Sequence, residues 1–115
     1  MSKKVTIYHN PRCSKSRKTL DLLRAHDIEP EVIEYLKDPP TVTALRDLSK
    51  KLGRAPQEMV RKKEFAELDL TDNLTPLQYF RKIAEHPRLL ERPIVVCGKR
   101  ARIGRPPENV LELLD

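Results

Sequence analysis

Val5-Thr6-Ile7-Tyr8, followed by His9-Asn10-Pro11-Arg12-Cys13-Ser14-Lys15-Ser16-Arg17, decides how this chain is read. The first four residues alternate and are rich in β-branched side chains, the pattern of a short strand. Beyond Arg17, Leu20, Leu22 and Leu23 recur at helix-like spacing, which predicts a helix from Ser14 to about His26. Pro11 disfavours helical geometry at Asn10, so the chain turns there and Cys13 falls between strand and helix. The first N–H groups of a helix have no internal partners, and the helix dipole adds partial positive charge at that end. A thiol held there ionises more easily, and the thiolate is the reactive form. Arg12, Lys15 and Arg17 add cationic charge on the same arc. A small buried cysteine is the competing reading, but Arg12, Ser14 and Lys15 are poor company for burial.

The rest of the composition bounds what such a thiol could serve. The chain has 115 residues, the size of one domain, and 38% of them are hydrophobic with no Trp, so aliphatic side chains must fill the core. No apolar run approaches the ~18 residues of a membrane span, and no apolar signal region follows the N-terminal lysines. Two cysteines, Cys13 and Cys97, are too few for a secreted disulfide scaffold, so a reducing cytoplasmic setting is expected. The net charge of +6 is spread along the chain and interleaved with acids. With no aromatic interleaving and no nucleic-acid motif, it fits an anionic substrate better than a nucleic acid or a membrane. The histidines and cysteines show no metal-ligand spacing.

Taken in order, the chain reads strand, helix, strand (Val32–Leu36), then a helical block from Thr41 to about His86. Within that block Thr43 is a candidate cap, Leu45, Leu48 and Leu52 share a face, and Gly53 closes the helix. Pro56 restarts a helix carrying Met59 and Val60, and Thr75-Pro76 opens another with Leu77, Phe80 and Ile83 at helical spacing. Lys63 to Asn73 reads equally as loop or frayed helix. Ile94–Cys97 and Arg100–Ile103 form a hairpin about Gly98-Lys99, and Gly104-Arg105 is a second turn. Pro106-Pro107 opens a last helix with Val110, Leu111 and Leu114 inward. The expectation is one α/β domain over residues 1–115: a four-stranded mixed sheet with a helical insertion at about 41–88.

That order, with a cysteine after the first strand and Pro93 before the third, resembles the thioredoxin fold. Three stretches sharpen the likeness: His9 to Arg17, Glu91-Arg92-Pro93-Ile94-Val95-Val96, and Ala101-Arg102-Ile103-Gly104-Arg105-Pro106-Pro107. Together they resemble the glutaredoxin-linked arsenate reductase family, in particular its short bacterial branch, across essentially the whole chain. The resemblance implies reduction of arsenate to arsenite through a Cys13 thiolate–arsenate adduct. Glutathione would be the co-substrate and glutaredoxin the protein partner, with no bound cofactor. It also implies that Arg61, Arg92 and Arg105 bind the oxyanion, that His9 stands near the cysteine, and that Pro93 matches the cis-proline of the fold. Guanidinium groups suit the task, being permanently charged and able to pair bidentately with an oxyanion. For Arg61, an exposed helix arginine is the competing reading. For His9, an imidazolium would favour the thiolate, and a solvated turn histidine competes.

Ser16 stands where a dithiol oxidoreductase has its second cysteine. It cannot resolve an adduct, but its hydroxyl can hydrogen-bond toward Cys13, so an external thiol is needed. Cys97, ending a strand, reads as a small core hydrophobe. Thr19 breaks the C-x5-R spacing of a small phosphatase. Two alternatives remain: a thiol oxidoreductase of the same family with another substrate, and an Spx-like transcription-regulating interaction protein.

Overall fold

β-branched and aliphatic residues alternate through Val5–His9, and in the computed structural model they form β1 with Val5, Ile7 and His9 turned inward. The structure describes residues 4–68 and 74–114. Two compact units are present, Met1–Asp38 with Arg92–Asp115, and Pro39–Glu91.

In the first unit, β1 leads through a turn to α1 (Ser14–Ala25), whose inward positions Ser16, Thr19, Leu20 and Leu23 recur at the helical period. Asp27 takes a left-handed backbone (φ 60) just past the helix, and Ile28 N–H reaches back to the Leu23 carbonyl at 3.0 Å. With Asp27 N–H donating to the Arg24 carbonyl as well, this is a Schellman helix end. β2 (Glu31–Glu34) starts one residue earlier than the Val32–Leu36 expected and stops two earlier. The N–H groups of Lys37 and Asp38 both donate to the Glu34 carbonyl at 2.9 Å, so the chain turns, with Tyr35 fully buried. β2 pairs parallel with β1, β1 pairs antiparallel with β3 (Ile94–Cys97), and β3 with β4 (Arg100–Ile103). The sheet order is β2-β1-β3-β4, a thioredoxin-like mixed sheet.

Gly98 alone has positive φ (62) in the two-residue β3–β4 loop, as a type II′ hairpin turn requires. The last helix differs from expectation. Pro107–Leu114 is a 3-10 helix, so its period of three buries Val110 and Leu113, and Leu111 is only half-buried. Val5, Ile7, Leu20, Leu23, Val95, Cys97, Val110 and Leu113 make one core beneath the sheet. Each large aliphatic side chain buried there contributes about 1.5–3 kcal/mol of transfer free energy.

The second unit is helical apart from one isolated bridge, Val60 to Leu90. α2 (Val42–Leu52) is capped by Thr41, not Thr43: Thr41 Oγ1 accepts from Ala44 N–H at 3.1 Å, and Gly53 (φ 65) ends the helix. A 3-10 turn at Pro56–Glu58 precedes α3 (Lys62–Glu67), so the ambiguous stretch is helical through Glu67, while 69–73 lie outside the described residues. α4 (Pro76–Glu85) has a reciprocal cap between Thr75 and Gln78. Its inward face is Tyr79, Phe80 and Ile83. Leu77, expected inward, is 37% exposed, and Tyr79 takes its share of the face by stacking on Phe65 at 5.6 Å between ring centroids. No helix among the described residues is long and apolar enough to cross a membrane.

Candidate active site

The loop between β1 and α1 is tied at almost every residue. Asn10 Oδ1 accepts from Arg12 N–H at 3.0 Å, and the Asn10 carbonyl accepts from Cys13 N–H at 3.0 Å. This is the local turn that an Asn-Pro sequence favours. Arg17 reaches back to the Pro11 carbonyl at 2.8 Å. Cys13 is the N-cap of α1, with extended backbone (φ −93, ψ 122), and its carbonyl accepts the first intrahelical bond from Arg17 N–H. An N-cap side chain overhangs the unpaired N–H groups of the first turn.

Those groups act on the thiol. Burial pushes the Cys13 thiol up. Against it act the Ser16 N–H, the Arg92 side chain and the Lys15 N–H as donors near the sulfur, together with the charge of Arg92, although no first-turn N–H closes a full capping hydrogen bond to it. The donors win, and the thiol lies below its ordinary value of 9.0. Lys15 therefore contributes through its backbone, and the guanidinium that counts arrives from the loop before β3. The Arg92–Pro93 bond is cis, as is Arg105–Pro106. Arg105 Nε donates to the Arg92 carbonyl at 2.9 Å, and Gly104 N–H donates to the Pro93 carbonyl at 2.8 Å. The two motifs are thus joined side by side. Arg92 Nε is buried and has no hydrogen-bond partner among the described residues.

His9 and Ser16 meet, but not as expected. Ser16 is fully buried, and its Oγ lies 2.6 Å from His9 Nδ1 and accepts from Asn10 N–H at 3.1 Å. The hydroxyl is engaged there, and it is the Ser16 backbone N–H that serves the sulfur. His9 is held below its ordinary 6.5 by burial, partly opposed by Glu34 and reinforced by Arg24 and Arg17. Burial thus favours the neutral ring, and the residue is neither a solvated turn histidine nor a favoured imidazolium. With the ring proton on Nε2, Nδ1 accepts the Ser16 hydroxyl hydrogen while the hydroxyl oxygen accepts from Asn10 N–H.

The first unit thus gathers Cys13, Ser16, His9, Arg92 and Arg105. Arg61 belongs to the second unit, where it precedes α3. Its Nη1 lies 2.9 Å from Glu64 Oε1, its side chain is only 21% exposed, and its N–H donates to the Leu89 carbonyl at 2.7 Å. It is a held arginine rather than a free surface one. Cys97 is buried in the core, 6% exposed. Asn10, whose side chain shapes the turn, was missed in the sequence, although the Asn-Pro pair carried the signal.

The ArsC family model matches residues 8–113. The chain belongs to the ArsC family. Among its members, an arsenate reductase of Haemophilus influenzae is 46% identical over 114 residues, which cover 96% of this chain and 98% of that one. The Escherichia coli (strain K12) protein YfgD is 51% identical over 118 residues and covers 99% of each chain. A solved arsenate reductase from Vibrio cholerae superposes with a TM-score of 0.92 at 48% identity, covering 98% of this chain and 99% of that one. The ArsC match thus spans all three sequence stretches that carried the resemblance.

Proposed function

We propose that this protein reduces arsenate to arsenite with glutathione and glutaredoxin, and that Cys13 is the nucleophile. The observation that carries the reading is Arg92. Its guanidinium hydrogen-bonds the sulfur, while its buried Nε has no partner. A buried charged donor without an acceptor is costly, and an oxyanion beside the sulfur would supply one. Arg105, held against Arg92, extends the anion-binding set in this reading, and Arg61 is the third arginine that the family resemblance assigns to it.

The chemistry follows from the donors present. The Cys13 thiolate attacks As(V) and an arsenate oxygen leaves as water once protonated. Glutathione sulfur then attacks Cys13 Sγ. The S–As bond breaks with its electron pair on arsenic, which becomes As(III), and a Cys13–glutathione disulfide forms. Glutaredoxin thiolate attacks that disulfide and returns Cys13 as thiolate. Ser16 cannot take over this last step, so the external thiol is obligatory.

The test is arsenate-dependent NADPH oxidation in the presence of glutathione, glutathione reductase and glutaredoxin, with each left out in turn. Consumption that needs every component supports the scheme. Consumption that persists without glutathione or without glutaredoxin breaks the coupling, and none at all removes arsenate as the substrate.

A further inference from the structure

Thr19 is fully buried in α1, one turn beyond the residues that face the sulfur. Its hydroxyl donates to the Lys15 carbonyl at 2.8 Å. That carbonyl and the Ser16 N–H belong to the same peptide group. Ser16 is the third residue of α1, whose N–H an N-cap side chain overhangs, and it is the backbone donor that most lowers the Cys13 thiol. A hydrogen bond accepted at one end of a peptide polarises the donor at its other end and restrains its tilt. Threonine back-bonding of this kind satisfies a buried hydroxyl and usually bends a helix slightly; here, in the second turn of α1, the carbonyl it engages belongs to the peptide beside the sulfur.

A second feature fixes the threonine from the opposite side. A Cβ on Gly104 would lie 2.7 Å from Thr19 Oγ1, 3.2 Å from Thr19 Cγ2 and 2.8 Å from Pro93 Cγ. Gly104 therefore needs glycine for space, not for backbone conformation. Its bare backbone lies beside Thr19 on one side and Pro93 on the other, so any side chain there would displace the hydroxyl.

We propose that Thr19 is a positioning residue for Cys13: its hydroxyl, wedged by Gly104, holds the 15–16 peptide so that its N–H stays aimed at the sulfur. This rests on the nucleophile role proposed above, but its readout needs no arsenate. Among the described residues the charged side chain that acts on the sulfur is Arg92, before β3; Arg12, Lys15 and Arg17 lie on the sulfur's own segment, His9 on β1 and Arg105 after β4. None of these is altered by changing Thr19.

The experiment is the rate of Cys13 alkylation by iodoacetamide across pH in the full chain, read at the Cys13 peptide by mass spectrometry. Thr19→Val keeps the shape and removes the hydroxyl. It should slow alkylation roughly threefold below the thiol midpoint, with rates converging at high pH. Thr19→Ser restores the hydroxyl and should match wild type. A merely structural threonine would lower the melting temperature of the valine variant without moving the pH profile, and that result overturns the proposal. So does a serine variant as slow as valine. Should Thr19→Val fail to fold, Gly104→Ala carries the test. Its methyl displaces the hydroxyl and should slow alkylation by a similar factor, and a wild-type rate there overturns the proposal as well. Absence of arsenate turnover with the alkylation pattern intact would sink the proposed function alone.

Discussion

Cys13 and Cys97 sit in the same unit and share no chemistry. Cys13 caps a helix, half-exposed, with two backbone N–H groups and a guanidinium on its sulfur. Cys97 closes β3 among Val5, Leu23 and Val110, with aliphatic carbon around it. The difference teaches that reactivity here is a property of donors. Thiolate needs hydrogen-bond donors and positive charge to offset desolvation, and only one of the two sulfurs has them.

The contrast can be broken at four places. Cys13→Ser should lower arsenate turnover by at least about a thousandfold with circular dichroism unchanged, because the proposed nucleophile is gone. Retained turnover would mean that another group does the chemistry. Arg92→Ala should lower kcat/KM by about 10²–10³-fold, the usual cost of a transition-state donor, and slow Cys13 alkylation as well. A loss of turnover with unchanged alkylation would confine Arg92 to the substrate. Cys97→Ser should leave turnover within about twofold while costing about 1–3 kcal/mol in urea unfolding, since a hydroxyl is placed in an aliphatic core. A large activity loss with little stability loss would overturn the single-thiol reading.

The smallest effect concerns His9. Its folded pKa lies below 6.5 because burial disfavours the charged ring. Below pH 6.5 the unfolded chain takes up a proton that the folded chain resists. Stability from this residue is therefore present above 6.5 and lost as pH falls toward the folded value. Urea midpoints measured on both sides of that value should show a decline that His9→Gln flattens. An identical decline in the variant would place the acid sensitivity elsewhere.

The β1–α1 segment was legible because its signals are local. Alternation, a Pro-induced turn and helical spacing all act within a few residues, and they placed Cys13 correctly at the helix start. The helical insertion and the β3–β4 hairpin were legible for the same reason. What resisted reading depends on contacts distant in sequence or on which atom does the work. Arg12, Lys15 and Arg17 looked like the charge beside the sulfur, yet the charge that counts is that of Arg92. Ser16 was singled out for its hydroxyl, but the fold turns that group to His9 and uses the backbone N–H instead. His9 loses its charge to a burial that no neighbour in sequence announces. Gly104 read as a turn glycine, and only three-dimensional packing shows that it makes room for Thr19. In the last helix a period of three replaced 3.6, which exchanged Leu113 for Leu111.

The unit that carries Cys13 and Arg92 is assembled from the two sides of the insertion: β1 pairs with β3, and Val5 lies opposite Cys97. On the ribosome, Cys13 therefore emerges long before Arg92 and the strand that carries it into place. Until then the nascent chain holds a sulfur without its guanidinium, closer to an ordinary thiol and slower toward oxidants and electrophiles. The Arg92 share of the sulfur's activation thus arrives only with the finished sheet, while the share from the first turn of α1 is local.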